Sequence, residues 1–308
     1  MSSFSLRLTI CGCLVAVLVA CGGGAGTEDR ANNPSPSPLR PPSAPLVLTV
    51  ESPTHPADSQ DLLGFHFLNQ ERSRCGFGLL AQDLRLDIAA RSHREYLALN
   101  SVWAHIEVPG NPGFFGEDPS ARAEAAGYEL IAVGEGIVRG ENAIDAMRGL
   151  LAAPYHAMNM LSGWTDVGVS FAYGVLVNLY GRRSLQQWTD EIRTYPCAES
   201  VGLHPTSTRE TPAPFANFHE VWGHPILVHS PANFELRTAA ITGPQGLVPI
   251  KVVYGKGHTD DRHHKCYGIW TCIIPNPLQP FTTYTVDLTW LQEGQPGGRS
   301  FSFTTGDR

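Results

Sequence analysis

From about Leu62 the apolar positions recur at helical spacing. In the clearest stretch, 84–100, Leu86, Ala89, Ala90, His93 and Leu97 fall on one face, and Asp83 stands where an N-cap belongs. Asp118 as a cap, Pro119 at the first helical position and Gly127 just beyond the end predict a short helix; 141–153 predicts another, stopped by Pro154. The period then shortens to two. Val167, Val169 and Phe171, a turn at Tyr173-Gly174, and Val175, Val177 and Leu179 predict a hairpin. Helices with an antiparallel pair make an α+β domain. A second Pro-bearing linker follows at 206–217. Short apolar-alternating runs at 226–229, 234–241, 248–253, 282–290 and 300–304, parted by Gly, Pro and Asn, then predict a small all-β sandwich.

Ahead of these elements Arg7 precedes an apolar run, 8–20, broken only by Thr9 and Gly12. A transmembrane helix needs about 20 apolar residues and a secretory h-region only about 7–15, so 1–20 reads as a signal peptide. It ends in Leu18-Val19-Ala20-Cys21, which resembles the bacterial lipobox and implies lipidation of Cys21. The plainer alternative is a soluble secreted protein with an incidental cysteine. Residues 21–57 are Pro, Ser and Gly rich, as in Asn33-Pro34-Ser35-Pro36-Ser37-Pro38, and read as an extended tether. The protein is thus expected to be exported and lipid-anchored, at the cell membrane or the outer membrane, facing the periplasm or the exterior.

Acidic side chains outnumber Lys and Arg by 29 to 22, and Lys occurs only at 251, 256 and 265. No basic stripe is available for phosphates, which argues against nucleic acid as a partner. Of seven cysteines, Cys11 and Cys13 leave with the signal and Cys21 carries lipid. Cys75, Cys197, Cys266 and Cys272 are expected to pair in an oxidising compartment, with three connectivities open. Cys75–Cys197 would bracket one domain and Cys266–Cys272 would close one short segment. A metal clip of Cys266 and Cys272 with His263 and His264 is the alternative, disfavoured because the spacing is not that of a CxxC site.

The middle of the chain carries a set of motifs in a telling order. They are Phe65, Leu68, Asn69 and Arg72; Gly78-Leu79 with Asp83, Leu86, Ala89, Ala90 and His93; Trp103-Ala104-His105; Arg122 through Gly127-Tyr128; Gly134-Glu135; Pro154-Tyr155-His156 with Asn159-Met160-Leu161; and Asp166-Val167-Gly168-Val169. In this order they resemble the CAP superfamily of cysteine-rich secretory, antigen and pathogenesis-related proteins (SCP-like), in its bacterial branch. The resemblance implies a three-layer α-β-α sandwich over 58–200; the Pro-bearing linker is then 201–222 and the run of short strands makes a β-sandwich over 223–308. The last stretch resembles an immunoglobulin-like or fibronectin-like module through Pro277, Pro280, Thr282, Tyr284, Val286, Phe301, Phe303, Thr304 and Thr305.

The CAP resemblance further implies a cavity of two histidines and two acids able to hold a divalent cation. Matched by position, these are His105, His156 and Glu135. The asparagine expected after Glu135 is Gly136, the aromatic of the fourth helix is Leu150, and the place for a second acid or a serine is Ala153. Two imidazoles and one carboxylate form a ligand set for Zn²⁺ with water in the fourth position, and Mg²⁺ is the other cofactor to consider. From the residues alone, the glycines around Glu135 indicate a close backbone approach or simply a turn. His93, on its apolar helix face, reads as a hydrogen-bonded core histidine; Tyr128, Trp164 and Trp188 read as core aromatics; His258, His263 and His264 read as part of a solvated loop.

HExxH, GxSxG and a free nucleophilic cysteine are all missing from the sequence, which favours binding over catalysis. The leading expectation is an envelope protein that takes a small apolar or extended ligand, or an envelope partner, in its central cleft. The rivals are a metal-assisted hydrolase of peptide, wall or nucleic-acid bonds using the His/Glu cleft, and an adhesin or scaffold.

Overall fold

Among the described residues, four of five helices begin where a side chain satisfies their open amides. The computed structural model describes residues 43–230, 233–258, 266 and 269–307. The signal segment, Cys21, the tether as far as residue 42, His263 and His264 lie outside the described residues. Helix α1 (Gln60–Arg74) is capped by Ser59, α2 (Leu84–Asn100) by Asp83, α3 (Pro119–Ala125) by Asp118 and α4 (Ala143–Leu151) by Asn142. The fifth, α5 (Pro154–Leu161), has Ala153 at its cap position, with no side-chain hydrogen bond. Pro154 therefore does two things: it stops α4, as the sequence indicates, and it starts α5, because its fixed φ suits a first helical position.

The helices sandwich a four-stranded sheet in the order Ala81–Gln82, Asp166–Ala172, Val175–Arg182, Ala132–Arg139. The two middle strands are the hairpin, with Ala172 opposite Val175. Alternation sorts their side chains into two layers. Val167, Val169, Leu176 and Tyr180 join the core with α1, α4 and α5, whereas Val177, Leu179 and Ile137 join Leu86, Ala89, Ala90 and Leu97 of α2 and Ala123 of α3. Gly168 sets the distance of the second layer. A Cβ there would lie 2.1 Å from the carbonyl carbon of Leu86, so strand and helix meet backbone to backbone.

Residues 43–57, expected as the end of the tether, lie along this domain instead. Ser43–Ala44 pairs in parallel with Gln186–Gln187, the Gln187 side chain accepts from the Val47 amide at 2.7 Å, and the Gln82 side chain accepts from the Thr54 amide at 2.6 Å.

Beyond Arg182 the described residues form two larger sheets. One runs Ile250–Tyr254, Trp270–Pro275, Ile226–His229, Arg193–Tyr195; the other runs Gly246–Leu247, Phe234–Gly243, Thr283–Gln292, Gln295–Thr305, Ser200–Leu203. Trp270–Pro275 was not among the expected strands. It is buried along its whole length, so it shows no alternation to read. The outer strands at 193–195 and 200–203 are drawn from residues expected to belong to the CAP-like domain and the linker. The short strands Thr206–Thr208 and Val221–Gly223, which both begin within 201–222, also pair. The residues read as a linker are therefore built into the fold, and from residue 43 onward the described chain is one compact unit. Disulfides join Cys75 to Cys197 (Cα–Cα 5.3 Å) and Cys266 to Cys272 (5.8 Å). Among the described residues no helix is long and apolar enough to cross a membrane.

Two histidines are buried where these parts meet. The His229 ring lies against Phe77, Trp188 and Trp270, and its pKa is pushed down to about 4 by burial and then by Arg193. Burial, and then His204, pushes His224 down to about 3. Each folded imidazole refuses a proton that the unfolded chain accepts near 6.5, so their stabilising contribution is complete above pH 6.5 and declines as the pH falls toward those values. Urea denaturation between pH 7.5 and 5 should show stability falling below pH 6.5 by up to roughly 1.4 kcal/mol per pH unit per histidine. His229→Phe should flatten that slope, and an unchanged slope would assign the pH dependence elsewhere.

Candidate functional site

The missing cap of α5 is supplied from outside the helical domain. Glu210, in the segment expected to be a linker, is buried against the start of α5, where its Oε1 accepts from the amides of Tyr155 (2.8 Å) and His156 (2.9 Å). Four helical N–H groups are open at any helix start, and a carboxylate is also favoured there by the helix dipole. The same oxygen lies 2.9 Å from Nδ1 of His156. One carboxylate thus caps the helix and orients an imidazole on it, which leaves Nε2 on the far side of the ring.

His105 is held in the same manner by a different acid. Its Nδ1 lies 2.7 Å from Oε1 of Glu135, while Oε2 of Glu135 accepts from Nη2 of Arg122 at 2.8 Å. Arg122 is fully buried and also donates to the carbonyls of His105 and Gly116. His93 stands behind this pair. It is fully buried, with Nδ1 2.8 Å from Glu107 and Nε2 3.0 Å from the Ala104 carbonyl, as expected of a core histidine. The glycines around Glu135 are used for close approach: a Cβ at Gly134 would lie 2.4 Å from the Asn159 side chain, and one at Gly136 would lie 2.5 Å from that of Asn178.

His105, Glu135 and His156 all line one cleft of about 430 Å³. Its walls include Val133, Tyr155, Met158 and Asn159, together with Thr211 and Pro212 from the Glu210 segment. Trp164, read from sequence as a core aromatic, is also in the wall and donates from Nε1 to the Asn159 carbonyl at 2.7 Å. The His105 side chain is 44% exposed and that of His156 15%, whereas both carboxylates are sealed behind them. Tyr128 and Trp188 are buried, the former donating to Asp166 at 2.8 Å. His258 is bonded to the Leu236 carbonyl, away from the cleft.

The two acids sit in unlike electrostatic surroundings. Burial raises the pKa of Glu135, but the His105 hydrogen bond and the charges of His93 and Arg122 outweigh it and hold the group below the usual carboxylate range. Burial dominates at Glu210 and holds it above that range, despite its bonds to His156 and Tyr155. Its Oε2 is buried without a partner. Falling pH therefore protonates Glu210 before Glu135.

Glu135 accepts from Arg122 and lies against Nδ1 of His105, so it backs an imidazole. Among the described residues, no group of three or more His, Cys, Asp or Glu side chains is placed to hold a metal ion. Nε2 of His105 and Nε2 of His156 are the ring nitrogens left to face the cleft, with Glu135 behind the first and Glu210 behind the second. Sequence reasoning missed Glu210 altogether. The uncapped Ala153-Pro154 start signalled that something must meet those amides, but nothing local said what.

No family model matches the chain, and no curated protein matches it. Among solved structures it is similar to an extracellular protein containing an SCP domain from Bacillus anthracis, at 21% identity and a TM-score of 0.37 over 43% of this chain. It spans 45% of that protein's length. It is also similar to an outer surface protein from Borrelia burgdorferi, at 16% identity and a TM-score of 0.37, over 42% of this chain and 96% of the other.

Glu210→Ala should cost about 1–2 kcal/mol in urea denaturation through the lost cap of α5. Adding Ala153→Asp should restore most of that stability without restoring the acceptor for His156 Nδ1, which the ¹⁵N shifts of the ring report. Full recovery of both would show that Glu210 does not orient the histidine.

Proposed function

We propose that this is an exported, lipid-tethered CAP-like protein of the cell envelope that binds a small ligand with an apolar body and one polar group in its central cleft. The observation that carries this reading is the pairing of each cleft imidazole with a buried carboxylate through Nδ1. Such pairing fixes the tautomer and turns Nε2 into an oriented hydrogen-bonding point, and here two such points meet walls of Val133, Tyr155, Met158 and Trp164. A cleft of apolar walls with a few converging polar groups is what recognition of a small molecule needs. The CAP-like motif order supports the same reading, and the lipobox-like Leu18-Val19-Ala20-Cys21 supports the tether.

A hydrolytic reading draws on the same pairing, since a carboxylate behind a histidine also supports a general base. It lacks an activated nucleophile: Ser162, which lines the cleft, donates its hydroxyl to the Met158 carbonyl at 2.7 Å. Binding is the reading with more support.

Native mass spectrometry of the mature protein taken from its own envelope tests this. An apolar small molecule should co-purify, and His105→Ala with His156→Ala should reduce its occupancy at least tenfold without loss of fold. A ligand retained in full by the double variant, or a stoichiometric metal ion with hydrolysis abolished by the same changes, would overturn the binding reading. The tether is checked by the mass of the N-terminal peptide, which should carry acyl chains on Cys21.

A further inference from the structure

A second pocket lies on the α2 side of the sheet, between the end of α2, the loop after it and the turn of the hairpin. It measures about 350 Å³, and Arg94, Leu97, Val102, Trp103, Arg139 and Tyr173 are among its lining residues. Three features set it apart from ordinary surface.

The first is charge. Two guanidiniums from different elements line it and no carboxylate does, in a chain where acids outnumber Lys and Arg by 29 to 22. Arg139 is exposed and stacks over the Trp103 ring, 4.7 Å from its centre, so an aromatic face holds it in place while its N–H groups stay available. Arg94 is steadied by Nε donating to the Ser170 hydroxyl at 3.0 Å and forms an ion pair at 3.6 Å with Glu95, which stands on the exposed face of α2 outside the pocket lining.

The second is Tyr173. It occupies the first turn position of the hairpin with φ +52°, followed by Gly174 at φ +73°. A two-residue turn of this kind favours Asn, Asp or Gly at that place, and a bulky residue there is strained. The ring gains no burial in return, being 94% exposed. Packing therefore does not account for a tyrosine at this position, whereas contact with a bound molecule does. The third feature is Trp103, 48% exposed in the same lining.

We infer that this pocket binds a small amphipathic anion, an apolar body bearing one carboxylate or phosphate. The anionic group would lie on Arg139 and Arg94, and the body would lie on Trp103, Leu97 and Val102 under the Tyr173 ring. The site is concave and of small-molecule size, which favours a single molecule over a flat membrane surface. It is independent of the His105–His156 cleft and holds or fails separately from it.

Decanoate is a suitable probe, with decanol as its neutral counterpart, followed by calorimetry on the folded chain. Decanoate should bind, decanol should bind at least tenfold more weakly, and Arg139→Gln should reduce decanoate affinity roughly tenfold while flattening its salt dependence. Tyr173→Asn should raise the melting temperature, since asparagine suits the turn, and yet weaken decanoate binding. Equal affinity for decanoate and decanol, unchanged affinity in both variants, or binding to anionic phosphatidylglycerol vesicles without binding of free decanoate would each overturn the inference. Decyl phosphate binding more tightly than decanoate would support it and assign the headgroup.

Discussion

The cleft depends on one buried carboxylate. Glu210 approaches the start of α5 from 54 positions downstream of His156, accepts two amide N–H groups on a single oxygen, and places that same oxygen 2.9 Å from Nδ1 of His156. A carboxylate out of water is costly unless donors and a favourable field offset it, and here the open amides and positive end of the helix provide both. The relation runs in each direction: α5 needs the anion, and the anion is tolerable only beside α5. Its carrier segment is therefore fastened down. Trp222 is buried and donates from Nε1 to the Ala152 carbonyl at 3.1 Å, at the end of α4, and the Tyr254 hydroxyl holds the Pro214 carbonyl. Residues between the helical domain and the second pair of sheets thus complete the wall of the cleft.

The other half of the cleft is built locally and on a different electrostatic plan. His93, Glu107, Arg122 and Glu135 lie within 43 positions and form a sealed network in which Glu107 also accepts from the amides of Phe115 and Gly116. Such a group is stable only when nearly every member is satisfied. Arg122 makes this possible by serving Glu135 and two backbone carbonyls at once. One imidazole of the cleft is consequently backed by a firmly ionised carboxylate and the other by a carboxylate that burial inclines toward the neutral form. Unlike environments for like groups are what allow one site to offer two different polar contacts.

How far the sequence reveals this follows from how local each signal is. Caps at Asp83 and Asp118, the apolar face of α2 and the Tyr173-Gly174 turn were legible because each is decided within a few residues. His105, Glu135 and His156 were legible as a group only through the order of the motifs around them, and the structure brings all three to one cleft. Pro154 was read as an end and not also as a beginning, since a stop signal and a first-position signal are the same residue. Trp270–Pro275 escaped because a strand covered on both faces has no period. Residues 43–57 escaped because side chains far along the chain, Gln82 and Gln187, hold that stretch in place. Glu210 escaped for the deepest reason. A carboxylate in a Thr and Pro rich segment has no local feature that tells a helix cap from a solvated side chain.

A helix as short as α5 does not hold its shape unaided, because a single turn's nucleation cost is spread over too few hydrogen bonds. Its two ends are each closed by a buried charge of the appropriate sign. Glu210 meets the amides at the start; at the other end the buried guanidinium of Arg72, reaching from α1, donates to the carbonyls of Met160 and Ser162, the latter at 3.1 Å, and to that of Gly78 at 2.7 Å. Burial lowers the Arg72 pKa to about 9, which still leaves it cationic at neutral pH. Anion at the start and cation at the end both complement the helix dipole. Between them, Met158 packs 3.5 Å from the Cys272 sulfur on the neighbouring sheet, and Tyr155 and His156 line the cleft. The direction of His156 is therefore not a property of its own turn. It is set by two charges from α1 and from the segment after the sheet, which is why the histidine could be named from the sequence and the geometry that makes it useful could not.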